Sequence, residues 1–139
     1  MKILIVEDEI LLALYMRDVL IETGHEILGI ARTADEAIQC VRAVKPDLAF
    51  LNIDLADAVK GTDLARMLRT EFAVPSIIVS GNLHEARAAQ GGALGYIGKP
   101  CAPMLLQKSV EVVKAIRSGA MLDEQQIPTG LTLFQREIS

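Results

Sequence analysis

Several residues with side chains suited to chemistry come directly after short apolar runs. Each run is four to six residues long and rich in Val, Ile and Leu, as expected for a buried strand. The residues at the ends of these runs are Glu7 and Asp8 after KILIV, Asn52 and Asp54 in PDLAFLNIDL, Ser80 in SIIVS, and Lys99 after GYIG. Such a repeated arrangement predicts that carboxylate, amide, hydroxyl and ammonium groups gather at one edge of a sheet.

The types of these groups indicate which chemistry the edge could support. Carboxylate and amide oxygens are hard ligands, and Mg²⁺ favours a few of them together with water and a phosphate. A lysine and a hydroxyl on the opposite side would suit a phosphoryl group, whose charge is spread over three oxygens. We therefore expect a site for magnesium and a phosphoryl group.

The elements that position these groups follow from the alternation of apolar runs with amphipathic stretches. Strands are predicted at 2–6, 26–31, 47–52, 76–80 and 93–98, and helices at 9–22, 34–44, 63–72, 83–90 and 103–117. Thr33 and Glu36 have the spacing of a capping box at the start of the second helix. Strands that lack polar alternation are typical of a parallel sheet covered on both faces, so the fold class is α/β and doubly wound.

Composition narrows the possible functions further. The chain has 139 residues, enough for one domain, and its net charge of −4 disfavours nucleic acid or an anionic membrane as the main partner. The acidic triplet Glu7–Glu9 interrupts the apolar start too early for a signal peptide, and no apolar run is long enough to span a membrane. Cys40 and Cys101 lack ligand spacing, so we expect free thiols and a cytoplasmic protein.

The motifs IVEDE, DLAFLNIDL, IIVSG and GYIGKP resemble the CheY-like receiver domain of two-component response regulators. The resemblance covers residues 1–118. It implies a flavodoxin-like (βα)₅ fold with a five-stranded parallel sheet in the order 2-1-3-4-5. It leaves residues 119–139 as a C-terminal extension or truncated linker without an output domain.

The resemblance also implies roles for the residues at the strand ends. Glu7, Asp8 and the backbone carbonyl of Asp54 would bind Mg²⁺, and Ser80 and Lys99 would hold the phosphate. Tyr96, three residues before Lys99, would move inward or outward with the state of the site. The implied partners are a histidine kinase or phosphotransfer protein, and a downstream protein that binds the face formed by helix 4, strand 5 and helix 5. We expect no enzymatic activity, and a monomer or weak homodimer.

Asn52 departs from the family pattern because it occupies the position of the phosphoacceptor aspartate. An amide nitrogen is delocalised into its carbonyl and is a poor nucleophile, so Asn52 does not form an acyl phosphate. The loss of one negative charge should also weaken Mg²⁺ binding. Three explanations remain open at this point: an engineered replacement of Asp, a natural pseudo-receiver that signals by binding alone, or Asp54 acting as the acceptor.

Four further expectations follow from the sequence. The fourth helix has few apolar anchors and should be mobile, and the binding face to which it contributes should be remodelled. His25 and His84 are expected at the surface. LTLF in the tail could form an extra strand or a dimer arm, although a partly disordered extension is favoured. A small enzyme or nucleotide binder is disfavoured because Glu7–Glu9 would repel bare phosphates.

Overall fold

Strands and helices alternate through the first 117 residues, as the sequence predicts. The computed structural model describes residues 1–134. The elements are β1 Lys2–Val6, α1 Ile10–Glu22, β2 Glu26–Ala31, α2 Ala34–Ala43, β3 Leu48–Leu51, α3 Gly61–Phe72, β4 Ser76–Ser80, α4 Leu83–Arg87, β5 Gly95–Gly98 and α5 Pro103–Arg117. A 3₁₀ turn at Glu124–Gln126 and a short strand, β6 at Leu131–Leu133, follow.

The sheet confirms the predicted fold class and adds one strand. Its order is β2-β1-β3-β4-β5-β6, with β1 to β5 parallel and β6 antiparallel to β5. The expectation of five strands was therefore one strand short, and LTLF does contribute the extra strand. The physical reason is that Leu131 and Leu133 bury their side chains in the core when this segment pairs with β5.

The core lies in two layers, one on each face of the sheet. Ile3 and Ile5 of β1 pack in one layer with buried residues of α1 and α5. Leu4 and Val6 pack in the other layer with residues of α2, α3 and α4. The alternation follows the period of two along a strand, and it explains why most positions of these strands are apolar.

Local signals at the helix ends agree with the sequence in two places. Thr33 Oγ1 accepts a hydrogen bond of 3.0 Å from the backbone nitrogen of Glu36, which caps α2 and forms the Thr33 half of the predicted capping box. Pro103 begins α5, where a missing N–H costs nothing. Within the described residues, none of the helices has both the length and the apolar composition needed to cross a bilayer.

Two local expectations differ from the structure. His25 is buried rather than at the surface, because its ring packs next to the chain's amino group and Nδ1 lies 3.1 Å from that nitrogen. Helix α4 ends at Arg87, three residues earlier than expected, and only Ala86 among its five residues is buried. The mobility expected of α4 stays a prediction.

Candidate functional site

The residues at the strand ends meet at one rim of the sheet because the strands run parallel. Val6 pairs with Leu51, so β1 and β3 end at the same level, and Ser80 pairs with Gly98, so β4 and β5 also end together. Leu51 pairs with Ile78, which places the end of β4 two residues beyond the end of β3. The residues that follow these strands therefore lie at the carboxyl edge, beside the place where the strand order reverses between β1 and β3.

The ammonium group of Lys99 joins two of the expected site residues. Its Nζ lies 3.1 Å from Glu7 Oε1 and donates a hydrogen bond of 3.2 Å to Asn52 Oδ1. The Lys99 side chain is 21% exposed and that of Glu7 is 2% exposed, so this ion pair is shielded on the carboxylate side. Lys99 therefore neutralises a buried charge and fixes one end of the Asn52 amide.

The amide nitrogen of Asn52 connects two further expected site residues, Asp8 and Asp54. Nδ2 donates one hydrogen bond of 3.2 Å to Asp8 Oδ1 and one of 2.7 Å to the backbone carbonyl of Asp54. A primary amide has two N–H donors, so both are used here. These two acceptors are oxygens that the family resemblance implies as Mg²⁺ ligands. One NH₂ group thus links two of the three predicted metal ligands.

Burial shifts the acid–base behaviour of Glu7. Removal from water raises the pKa of its carboxyl group, while a hydrogen bond from the Glu9 backbone and the charge of Lys99 act in the opposite direction. The Glu9 nitrogen lies 3.2 Å from Glu7 Oε2. Burial thus raises the pKa of Glu7, and the Glu9 backbone and Lys99 both oppose that rise.

Ser80 lies at the same rim but its side chain is engaged locally. Its Oγ accepts a hydrogen bond of 3.0 Å from the backbone nitrogen of Asn82, and its carbonyl accepts one of 2.9 Å from the Lys99 nitrogen. Among the described residues, no hydrogen bond joins its hydroxyl to Lys99 or Asn52. The backbone thus brings Ser80 to the site, and the hydroxyl faces the turn that leads to α4.

The carboxylate of Asp54 points away from the rim. It forms an ion pair with Lys60, at 2.8 Å from Oδ1 to Nζ, and the side chain is 69% exposed. Only the backbone carbonyl of Asp54 takes part in the network around Asn52. This geometry gives no support to Asp54 as a substitute acceptor facing Ser80 and Lys99.

Tyr96 lies on β5, half-buried, on the strand that leads to Lys99. Its ring centroid lies 6.4 Å from that of Phe134, with the two planes tilted by 37°. Because β6 pairs with β5, Tyr96 is not on an edge strand. It is adjacent to the tail rather than to the group around Asn52.

Sequence reasoning missed two residues that shape the rim. A Cβ on Gly61 would overlap the carbonyl oxygen of Asn52. Only glycine at position 61 therefore lets the start of α3 lie this close to the Asn52 backbone. Lys60, just before it, holds the carboxylate of Asp54 outward. The adjacent Lys-Gly at a helix start was the visible signal, but it does not reveal which backbone lies opposite.

The oxygens at the rim do not fit Mg²⁺ in this arrangement. Asp8 Oδ1 and the Asp54 carbonyl already accept hydrogen bonds from Asn52, and Glu7 is paired with Lys99. Over residues 1–134, no group of three or more His, Cys, Asp or Glu side chains is placed to hold a metal ion. A magnesium ion would have to displace the Asn52 amide from both of its acceptors.

Comparison with known proteins places the chain in a family. The sequence profile of the response regulator receiver domain matches residues 3–111. The regulator PhyR of Methylorubrum extorquens is 38% identical over 80 residues, which is 57% of this chain and 30% of PhyR. The transcriptional regulatory protein PdtaR of Mycobacterium tuberculosis is 31% identical over 103 residues, covering 71% of this chain and 49% of PdtaR.

Comparison with solved structures also finds receiver domains. The crystal structure of a CheY-like response regulator receiver domain protein from Methanospirillum hungatei superimposes with a TM-score of 0.75 at 28% identity, covering 86% of this chain and 98% of that one. The chain spans less than half the length of PhyR and PdtaR. With the profile covering most of the sequence, the chain belongs to the response regulator receiver domain family.

Proposed function

We propose that this chain is a receiver module of two-component signalling that does not accept a phosphoryl group at residue 52 and acts by binding partner proteins in one conformation. The observation that carries this proposal is the bonding of the Asn52 amide to Asp8 and to the Asp54 carbonyl. The rim is internally satisfied without metal or phosphate, as a constitutive binding module requires.

The chemistry of the amide supports the same conclusion. Phosphoryl transfer to a receiver needs a carboxylate oxygen as nucleophile, and the amide nitrogen of Asn52 has its lone pair delocalised. Members of the family generally bind Mg²⁺, yet here an NH₂ group donates hydrogen bonds to the oxygens that a metal would use. We infer that Mg²⁺ binding is weak and that it is not needed to hold the rim together.

The surface around the rim supports a protein partner. Large apolar side chains follow three of the strands and are exposed: Ile10 and Leu11 after β1, Leu83 after β4 and Met104 after β5, with Leu11 81% exposed. Exposed apolar residues grouped around a site indicate a protein-binding surface rather than a site for a small charged ligand. A histidine kinase or phosphotransfer protein is the partner class that this rim would receive.

A phosphorylation assay tests the proposal. The unaltered chain and Asn52→Asp are each incubated with Mg²⁺ and a small phosphodonor such as acetyl phosphate, and intact mass is measured. We expect an added phosphoryl group on Asn52→Asp and none on the unaltered chain. An acid-labile phosphoryl group on the unaltered chain, removed by Asp54→Asn, would show that Asp54 is the acceptor and would overturn the proposal.

A further inference from the structure

The tail of the chain returns to the sheet and occupies the outer edge of β5. Gly95 pairs with Leu133, Tyr96 with Thr132, and Ile97 with Leu131 in an antiparallel ladder. The backbone nitrogen of Phe134 extends the ladder with a hydrogen bond of 2.9 Å to the carbonyl of Leu94. An edge that would otherwise present unpaired N–H and C=O groups is therefore covered by only four residues.

Side chains of residues 131–134 are buried on both faces of the sheet. Leu131 and Leu133 are buried in the layer that contains α1 and α5. Phe134 is buried in the opposite layer, next to the ring of Tyr96, while Thr132 between the leucines is exposed. The edge of β5 thus selects a Leu-x-Leu-aromatic pattern by burial and an extended backbone by pairing.

The receiving strand is shaped to let this backbone approach. A Cβ on Gly95 would overlap the carbonyl oxygen of Thr132, and the three atoms nearest to it all belong to the tail segment. A Cβ on Gly98, in the same strand, would meet no atom within 4 Å. The missing side chain at position 95 therefore leaves room for the backbone of Thr132 and Leu133.

We propose that the outer edge of β5 is a strand-addition site: residues 131–134 fill it in cis, and an extended segment of a partner protein with the same Leu-x-Leu-aromatic pattern fills it in trans. Strand addition of this kind draws its affinity from main-chain hydrogen bonds and its specificity from the side-chain pockets. The cis segment pairs through three residues, so exchange for a partner segment breaks a short ladder and remakes the same one.

Exchange at this edge changes the neighbour of β5, the strand that contains Tyr96 and is followed directly by Lys99. Tyr96 contacts the occupant directly through Phe134, and Lys99 follows β5 by one residue. The face formed by helix 4, strand 5 and helix 5, which the family resemblance implies as the binding face of a downstream protein, is thus covered at its strand by the chain itself. The inference rests on the tail and on β5, and it does not depend on the chemistry of Asn52.

The test empties the site in the 139-residue chain and offers the tail segment as a peptide. Leu133→Ser combined with Phe134→Ser removes the buried side chains of the tail, and a peptide of residues 128–134 is then added with the amide spectrum of ¹⁵N-labelled protein as the readout. We expect shifts centred on residues 94–98. Adding Gly95→Ala should weaken binding at least about tenfold, whereas adding Gly98→Ala should leave it unchanged.

Two results would overturn the inference: a folded double variant whose β5 resonances do not respond to the peptide, or equal binding with Ala at position 95 and at position 98. If the double variant does not fold, the hydrogen-exchange comparison of the two glycine variants decides. Hydrogen exchange of the Phe134 amide gives an independent check. It should be faster in Gly95→Ala than in Gly98→Ala, and equal rates would contradict the docking geometry.

Discussion

At the scale of single residues, Asn52 connects its neighbours at the rim through hydrogen bonds. Its carbonyl oxygen accepts from Lys99, and its NH₂ group donates to Asp8 and to the Asp54 backbone. An aspartate in the same place would present a carboxylate oxygen to the Asp8 carboxylate and would need a cation between them. With Asn52, the amide NH₂ group donates a hydrogen bond to the Asp8 carboxylate in place of that repulsion.

Lys99 should contribute to stability as the counterion of a buried charge. In Lys99→Met, Glu7 would be left 2% exposed without its partner. We expect a loss of about 2 kcal/mol in the free energy of unfolding, less than for a fully buried pair because Lys99 is partly in water. Urea denaturation of the two proteins measures this loss.

The pH dependence of that loss distinguishes charge from packing. Burial already raises the pKa of Glu7, and removal of Lys99 raises it further, so the folded variant takes up a proton more readily than the unfolded chain. The stability that comes from protonation of Glu7 in the folded variant is present at low pH and is lost as pH rises. The defect should therefore be larger at pH 8 than at pH 5. Lys60→Met, which removes an exposed ion pair, should show little change at either pH.

At the scale of elements, the start of α3 fixes the backbone of the site. Gly61 donates its N–H to the carbonyl of Ile53 at 2.7 Å and has no room for a Cβ next to the Asn52 carbonyl. Asn82 caps α4 by accepting a hydrogen bond of 3.2 Å from Glu85, so the two helices around the rim begin at fixed points. The position of Asn52 thus depends on a helix that contributes no side chain to its network.

Gly61→Ala tests this dependence, with Gly81→Ala as the matched control at the same rim. The added methyl group at position 61 forces the loop and α3 apart, and we expect a loss of about 1–3 kcal/mol together with altered Asn52 side-chain amide resonances. Position 81 has open space around a Cβ and no left-handed backbone, so the control should be close to neutral. Equal effects of the two substitutions would refute the close approach at Gly61.

At the scale of the whole molecule, His25 links stability to pH at the end of the sheet far from the rim. Burial and the charge of the amino terminus lower the pKa of His25 below its ordinary value of 6.5. Below about pH 6.5 the unfolded chain therefore binds a proton that the folded protein resists.

We predict that the free energy of unfolding decreases as pH falls from 7.5 to 5.5, and that His25→Gln reduces this decrease. Chemical denaturation of protein with a native Met1 terminus, at a series of pH values, measures both curves. Parallel curves for the two proteins would show that another group is responsible.

The fold, and the placement of Glu7, Asp8, Asn52 and Lys99 at one rim, could be predicted from the sequence because they depend on local patterns. Apolar strands, the Thr33 cap and the polar residue after each strand each occupy a few adjacent positions. β6 was less predictable, since three residues carry little periodicity and their pairing depends on an open edge elsewhere in the chain. The burial of His25 and the orientation of the Asn52 amide likewise depend on neighbours that are distant in sequence.

We infer that the Asn52 amide takes the place of a metal ion at the rim. The most direct measurement is the unfolding free energy of the unaltered chain and of Asn52→Asp, each with and without Mg²⁺. We predict that Asn52→Asp is the less stable protein without Mg²⁺ and gains roughly 2–3 kcal/mol at a hundredfold excess of Mg²⁺ over its dissociation constant. The unaltered chain should not respond, and an equal gain in both proteins would contradict the claim.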